Sequence, residues 1–416
     1  MSRRTIIVIG GGPSGLMAAL QASGKNHKVI LLDKMEGLGT KLAITGKGRC
    51  NLTHQVDRHE ELIESFPGGG NFLHSAFNQF PPSELIKFFK SRGLDTKVEK
   101  GRRVFPVTDS AKDVLAVLEK ELKKAGVETR VSIPVIEILV DNKRVMGVRA
   151  STGESFGADK VIIATGGMTY PWTGSTGDGY QFARRLGHSL VTPRPSLVPL
   201  EVAESSISHN LEGLSLKNIK AIVKSGNKVV DQKFGEMVFT SYGLSGPIIL
   251  YLSRKIVLLL ADKKHTVSLS FDLKPALSKD KLQARLESDF EKNRKKYFKN
   301  AIEELLPQKM IPVFIQESGI HPSRQCAQIG SKDRDRVIDM LKNFSFTITK
   351  ARGMSEAEVT QGGVELKEVD PKTMESKLIH GLYFAGEVLD IDGYIGGFNL
   401  QAAFSTGYVA GRNASL

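Results

Sequence analysis

The sequence is poor in cysteine and tryptophan: among its 416 residues are Cys50, Cys326 and a single tryptophan. It also lacks any apolar run near the roughly 20 residues that a membrane span needs. Two cysteines build no disulfide framework, so a reducing cytoplasm is the expected compartment. No Cys/His cluster has metal-ligand spacing, and no Ser-His-Asp order stands out. The chain opens Met-Ser-Arg-Arg and passes at once into a strand, which leaves no room for a signal peptide. Its longest apolar stretch, Ile256–Ala261, reads as a short core or barrel strand.

Acidic residues are the other shortage. Asp and Glu total 45 against 58 Lys and Arg, giving a net charge of +13 and a pI near 9.5. An excess of that size fits a polyanionic partner such as RNA or DNA, and it fits equally a basic, solvated surface. With 40% hydrophobic and 25% charged residues the composition is that of ordinary globular protein. The length allows two or three domains.

The clearest local pattern comes first in the chain. Thr5–Gly10 is a β-branched strand that runs into Gly11, Gly12, Pro13, Ser14 and Gly15, and Leu16–Ala22 then reads as a helix. A second strand, Lys28–Leu32, ends at Asp33. Gly10, Gly12 and Gly15 fit G-x-G-x-x-G, in which one glycine allows the tight turn, the next lets a pyrophosphate approach the backbone, and the last lets helix and strand touch. Phosphates then lie on the free amides and positive end of the helix. The carboxylate of Asp33, at the tip of the next strand, can accept ribose hydroxyls. This is the first βαβ unit of a doubly wound sheet.

Further along, Ser110–Ala125 is a periodic helix capped by Ser110 or Asp109, with Gly126 past its end. Strands are expected near Val127–Val131, Ile136–Val140, Arg144–Ala150 and Val161–Ala164, the three in the middle resembling a small meander laid on the main sheet. Three prolines in Pro193–Pro199 mark a boundary. Beyond it lie the strands Ile219–Lys224, Lys228–Phe234 and His265–Phe271, then a Lys/Arg-rich helical block over Ser278–Gly319. Glycine-rich strand-and-turn character returns at about Thr347. The expected architecture is α/β: a discontinuous Rossmann-type domain (1–193 and 347–416) with an inserted domain (194–346), barrel-like over 194–277 and 320–346 and helical over 278–319. There is no internal repeat.

Two distant segments separate FAD from NAD. Val161–Gly167 is a buried strand ending in Ala-Thr-Gly-Gly, and Gly381–Glu387 is a strand ending in Gly-Glu. The latter is followed by Asp392–Gln401 and a small-residue helix, Ala402–Gly411. The arrangement resembles the glutathione-reductase-type FAD fold, whose closing Gly-acid segment contacts the ribityl chain. A helix starting after Gly396 and Gly397 aims its positive end at the pyrimidine side of the flavin and stabilises negative charge there. A further glycine-rich loop, Gly37–His54, carries Lys41, Lys47 and Arg49, which can neutralise the pyrophosphate.

That loop, ending Gly48-Arg49-Cys50-Asn51, together with Gly235–Pro247, Thr360–Val364 and the C-terminal stretch, resembles the BaiN/RdsA-type family of FAD-dependent oxidoreductases, also called aminoacetone-oxidase-like. The likeness spans essentially the whole chain. It implies an FAD domain with an inserted β-barrel and a helical piece. For the cofactor it implies contacts from Gly10, Gly12, Ser14, Gly15, Asp33, Lys34, Lys41, Gly48, Arg49, Cys50 and Asn51. Val135, Ala164, Thr165, Gly166, Gly386, Glu387, Gly397, Phe398, Asn399 and Leu400 complete the set.

No second strand–GxGxxG–helix unit is present, so NAD(P)H has to dock transiently, or else the substrate itself is the reductant and oxygen the acceptor. The family implies three chemistries: reduction of a conjugated enone, oxidation of aminoacetone, and formation of dihydrouridine in large-subunit ribosomal RNA. Reduction of either unsaturated carbonyl needs a general acid at the α-carbon. Cys50, Asp392 and Tyr394 are the candidates, with Cys50 equally readable as a buried structural thiol. His54 and His74 read as loop or core histidines, and Cys326 as an inert core residue. Ribosomal RNA also accounts for the charge: Lys292, Arg294, Lys295, Lys296 and Lys299 crowd around Tyr297 and Phe298, where lysines along a helix can meet phosphates and an aromatic can stack on a base. The same residues also read as a solvated helix face over two core aromatics. A small-molecule substrate, or a flavin-containing binding protein with little turnover, stays open beside the RNA reading.

Overall fold

Thr5–Ile9 is apolar throughout, and Ile6, Ile7 and Val8 are fully buried, as a central strand covered on both faces requires. In this computed structural model, which describes residues 4–24, 27–262 and 264–416, it is the middle of a five-stranded parallel sheet. Met1–Arg3, part of the opening segment read above, lie outside the described residues. The sheet order is Leu382–Phe384, Lys160–Ile163, Thr5–Ile9, Lys28–Leu32, Glu128–Arg130. From the first strand the chain goes one way to Lys28–Leu32 and the other way to Lys160–Ile163. The carboxyl end of Thr5–Ile9 is therefore a topological switch point, where such sheets bind ligands.

Two helices lie close together on this sheet. Pro13–Ala22 packs against the C-terminal helix Phe398–Ala414, and the contact is backbone to backbone. A methyl on Gly407 would come within 2.2 Å of Ser14 O, and one on Gly411 within 2.1 Å of Ala18 O. The helix Ala111–Lys124 starts at Ser110, whose hydroxyl accepts the Asp113 N–H. Glu128–Arg130 is the edge of the parallel sheet, and the antiparallel meander consists of Val135–Asp141, Arg144–Ala150 and the unanticipated Ser155–Gly157.

The chain divides into two units, 1–195 with 354–416, and 196–353. The return to the first unit comes at 354 rather than 347 because Phe344–Ala351 pairs with Val267–Asp272 and Leu200–Val202 in the second unit's closed barrel. The other barrel strands are Ser215–Ser225, Lys228–Thr240 and Gly243–Ser245. Ile256–Ala261 is not a strand. It belongs to the helix Pro247–Asp262, in which Ile248, Ile249, Leu252 and Ile256 are buried at helical spacing. A six-residue apolar run carries too little periodicity to separate the two. The helical block starts at Ser278, whose hydroxyl caps Lys279–Lys292, and Ile311–Ser318 stops at Gly319 in the left-handed conformation. A further helix, Ser331–Lys342, takes up much of 320–346, where barrel structure was expected, and the barrel strand begins only at Phe344. No helix among the described residues is long and apolar enough to cross a membrane.

Candidate functional site

At the switch point each glycine of the turn has a separate steric reason. Gly10 sits at φ 104°, and a methyl there would meet Ala164 O at 2.5 Å. A methyl on Gly15 would lie 1.8 Å from Gly10 O, so the helix could not rest on the strand. Gly12 differs: it caps the helix with an ordinary φ of −76°, and a methyl on it meets no protein atom within 4 Å. The space over Gly12 is open, and no side chain caps the helix start. That is the geometry of an anion cradle.

Asp33 holds the turn in place. Its carboxylate accepts the Gly11 N–H at 2.5 Å and the Met35 N–H at 2.7 Å, leaving each oxygen further lone pairs for ribose hydroxyls. Burial outweighs these bonds and pushes its pKa up. Ile133 N donates to Asp33 O at 2.9 Å and Ser132 N to Met35 O at 2.8 Å, so the segment leading to buried Val135 borders this end. The Lys34 ammonium is bound to Thr176 and, at 2.6 Å, to Asp178.

The remaining segments converge on the same turn. A methyl on Gly386 would meet Ser14 Oγ at 2.5 Å, and Gly386 N donates to Thr406 Oγ1 at 2.9 Å. Glu387 accepts the Thr360 N–H at 2.7 Å and pairs with Lys41 at 3.0 Å. Lys41, expected on the pyrophosphate, instead neutralises Glu387 and donates to Thr169 Oγ1 at 2.6 Å. Arg49 is likewise redirected. Its guanidinium pairs with Glu99 and, at 2.6 Å, Asp109, and lies 4.3 Å from the Phe105 ring centroid. Lys47 is exposed, and Gly48 (φ 82°) turns the loop toward Asn51.

Asn51 meets the start of the C-terminal helix. A methyl on Gly397 would fall 2.9 Å from Asn51 Oδ1 and 2.6 Å from Thr53 O. Gly397 caps this helix at φ 96° with no side-chain bond, so the amides of Phe398, Asn399 and Leu400 open its first turn. The Asn399 side chain is stapled to Gly393, bonding its N–H at 2.8 Å and its C=O at 2.9 Å, so only its backbone serves a ligand. Ala164, Thr165 and Gly166 (φ 73°) follow the strand Lys160–Ile163. Asn51 Oδ1 and Thr165 Oγ1 are buried without a hydrogen-bond partner, on two residues expected to touch the cofactor. The open space over Gly12, which a methyl would occupy, and the uncapped helix starts after Gly12 and Gly397 are what the phosphates and flavin of a dinucleotide need. The residues present therefore fit FAD.

The candidate acids do not all survive. Cys50 is 0% exposed and its thiol is pushed up to about 12 by burial, so Sγ can reach neither flavin nor substrate. With φ 59° its role is to turn the chain between Arg49 and Asn51. Asp392 is 1% exposed, closing a bridge with Gly68, and is equally withdrawn. Tyr394 is half-buried, its N–H bonded to Ser65 O at 2.9 Å, and keeps accessible surface. Cys326 is a core residue with a raised thiol pKa.

His54, read from the sequence as a loop or core histidine, stands beside the start of the C-terminal helix. Its Nδ1 lies 3.0 Å from Gly396 O and its ring stacks on Phe398 at 4.4 Å. A carbonyl only accepts, so Nδ1 carries the hydrogen and Nε2 presents a lone pair. Burial lowers its pKa and keeps it neutral. Its place three residues after Asn51, in a loop already singled out, was the available signal. His74 pairs with His59 at 3.1 Å on the surface, and no group of three or more metal-ligating side chains occurs among the described residues.

In the second unit Lys292, Arg294, Lys295, Lys296 and Lys299 are all exposed. They do not lie along one helix: Lys279–Lys292 ends, Asn293–Lys296 turn, and Phe298–Ala301 begins anew. Tyr297 is 46% exposed and Phe298 fully buried, so one aromatic is core and the other is free to stack.

A glycine turn at the switch point, an acid at the second strand and an uncapped C-terminal helix closing the same site define a flavin-type dinucleotide-binding enzyme. Residues 4–413 match the HI0933-like protein Rossmann domain model, and the chain belongs to that family of FAD-dependent oxidoreductases. It is 34% identical over 410 residues to a 3-dehydro-bile acid delta(4,6)-reductase of Clostridium scindens, covering 98% of both chains. It is 29% identical over 412 residues to a ribosomal RNA dihydrouridine synthase of Haemophilus influenzae, again covering 98% of both. Among solved structures, a flavocytochrome c3 fumarate reductase in its open conformation shares the fold with a TM-score of 0.53 at 18% identity, over 100% of this chain and 78% of that one.

Proposed function

We propose that this enzyme saturates a conjugated carbon–carbon double bond in a uridine of large-subunit ribosomal RNA, with NAD(P)H as transient reductant. Bound FAD supplies the hydride chemistry. The overall change adds a hydride to the β-carbon and a proton to the α-carbon, while NAD(P)H becomes NAD(P)⁺. The chain's own contribution is to hold the dinucleotide through Gly12, Ser14, Asp33, the 386–387 turn and the amides after Gly397, and to deliver the proton. Tyr394 is the candidate acid that keeps surface to offer.

The observation that carries the RNA reading is the cluster 292–299: five exposed cations around an exposed Tyr297. Cations of this kind neutralise phosphates, and a free aromatic stacks on an unpaired base. The similarity to the Haemophilus ribosomal RNA dihydrouridine synthase supports it. A target uridine must also leave its stack to reach a flavin. The decisive experiment is nucleoside mapping by mass spectrometry of ribosomal RNA from a strain lacking this gene. Loss of dihydrouridine from the large subunit is expected, and an unchanged level overturns the reading. A second reading, reduction of a small-molecule enone, is favoured by the 34% identity to the bile-acid reductase. Rapid turnover with an enone, indifferent to added RNA, would establish it.

A further inference from the structure

The two longest barrel strands, Ser215–Ser225 and Lys228–Thr240, form a hairpin around Gly226 and Asn227. Alternation sorts their side chains. Ile219, Ala221 and Val223 are buried in the barrel, which turns Lys220, Ile222 and Lys224 outward. Directly opposite Lys220 is Phe234, 58% exposed, the most exposed phenylalanine among the described residues. No aromatic ring packs on Phe234 among the described residues, so its face is open to a ligand.

The charges around it are unbalanced. Lys217, Lys220, Lys224 and Lys228 make no ion pair with any described residue. Asp272, which faces Lys220 across the next strand pairing, is taken by Lys342 at 2.6 Å. Lys220 and Lys224 stand four residues, about 13 Å, apart on one strand with Ile222 between them, so the hairpin presents spaced cations beside an aromatic face, with the exposed acid Glu236 two residues from the ring. A basic β-surface with an exposed aromatic is how barrel domains bind single-stranded nucleic acid: phosphates meet lysines, and a base stacks on the ring whatever its identity.

We infer that the outer face of this hairpin is a docking surface for single-stranded RNA, with Phe234 stacking on a base and Lys220 and Lys224 neutralising phosphates. The inference rests on the RNA reading above and assigns it a second contact, separate in sequence from residues 292–299. Uridine oligomers of 20 nucleotides, labelled at one end, are titrated with the FAD-loaded full-length enzyme at several salt concentrations. Phe234→Ala is expected to weaken binding roughly 5–150-fold. The double variant Lys220→Ala/Lys224→Ala is expected to lower the slope of log affinity against log salt by about 0.7 per lysine. Both variants should keep the wild-type flavin spectrum and melting temperature, because the substituted side chains lie outside the core. Wild-type oligomer binding that neither variant weakens overturns the hairpin surface and leaves the ribosomal RNA reading standing. Loss of binding to anionic phospholipid vesicles, with oligomer binding unchanged, overturns it in favour of a membrane. The RNA reading fails separately, by unchanged dihydrouridine in the deletion strain.

Discussion

Lys41 and Glu387, 346 residues apart in the chain, meet at 3.0 Å with roughly a fifth of each side chain exposed. Glu387 follows Gly386, whose close approach to Ser14 ties it to the glycine turn, so the ion pair clamps the C-terminal segment onto the dinucleotide loop. Lys41→Met should leave Glu387 half-buried and uncompensated. The partial exposure limits the cost to about 1–2 kcal/mol, a loss of roughly 5–30-fold in FAD affinity. Flavin fluorescence on titration into the apoprotein measures it, and unchanged affinity would show that the pair does not shape the site.

Gly12 and Gly15 separate folding from binding. Gly15→Ala places a methyl 1.8 Å from a backbone oxygen, and the helix has to lift, at a cost of about 3 kcal/mol or more. Gly12→Ala meets no protein atom and has a compatible φ, so its melting temperature should equal or slightly exceed the wild type's while its flavin content falls. Thermal melts of the apoproteins beside flavin absorbance give both readouts. Full flavin content in Gly12→Ala would move the pyrophosphate away from this turn.

Much of this site was legible because glycines at 10, 12 and 15 state a backbone requirement, and a backbone requirement is local. Partners are not local. Arg49 read as a phosphate ligand because Glu99 and Asp109 stand far from it in sequence and nothing in the loop announces them. The partner of Lys41, Glu387, is likewise distant in sequence. His54 gained its significance only when Gly396 and Phe398 closed over it. The helix at Ile256 was hidden because six apolar residues in a row fit strand and helix alike, and the period showed only from Ile248 onward.

The two thiols should be silent in the native protein. Cys50 is 0% and Cys326 3% exposed, and burial raises both pKa values. At pH about 8 an aromatic disulfide reagent is expected to titrate neither cysteine until denaturant is added. Cys50→Ala should retain the flavin reduction rate within about twofold while lowering stability by roughly 1–3 kcal/mol. A large fall in rate with normal flavin content would restore Cys50 to the chemistry.

His188 supplies a pH dependence of stability. It is 3% exposed, with Nδ1 3.1 Å from Glu368 and Nε2 2.9 Å from Ser376 Oγ. Burial lowers its pKa from 6.5, and Glu368 only partly opposes this. Below 6.5 the unfolded chain binds a proton that the folded state resists, so the stability is full above that value and lost as pH falls through it. His188→Asn can still donate to Glu368 and has nothing to titrate. Its melting temperature should fall less steeply than the wild type's between about pH 7 and pH 5. Parallel slopes would mean that other groups carry the acid sensitivity.

Tyr297 and Phe298 are adjacent but stand in opposite environments, one 46% exposed and one at 0%. Phe298 packs edge-on to Phe290 at 6.2 Å inside the helical core, so Phe298→Ala should cost about 3–5 kcal/mol. Tyr297→Ala should change stability by less than about 0.5 kcal/mol. If the turn touches RNA, the same Tyr297 variant lowers affinity for a large-subunit RNA fragment by about 1–3 kcal/mol. Replacing Lys295 and Lys296 by alanine then reduces the salt slope without abolishing binding, since phosphate contacts act independently of base identity. Stability and binding thus respond to opposite members of one dipeptide. A Tyr297 variant that binds RNA as the wild type does, with its fold intact, would leave the turn as a solvated surface and return the charge excess to the rest of the chain.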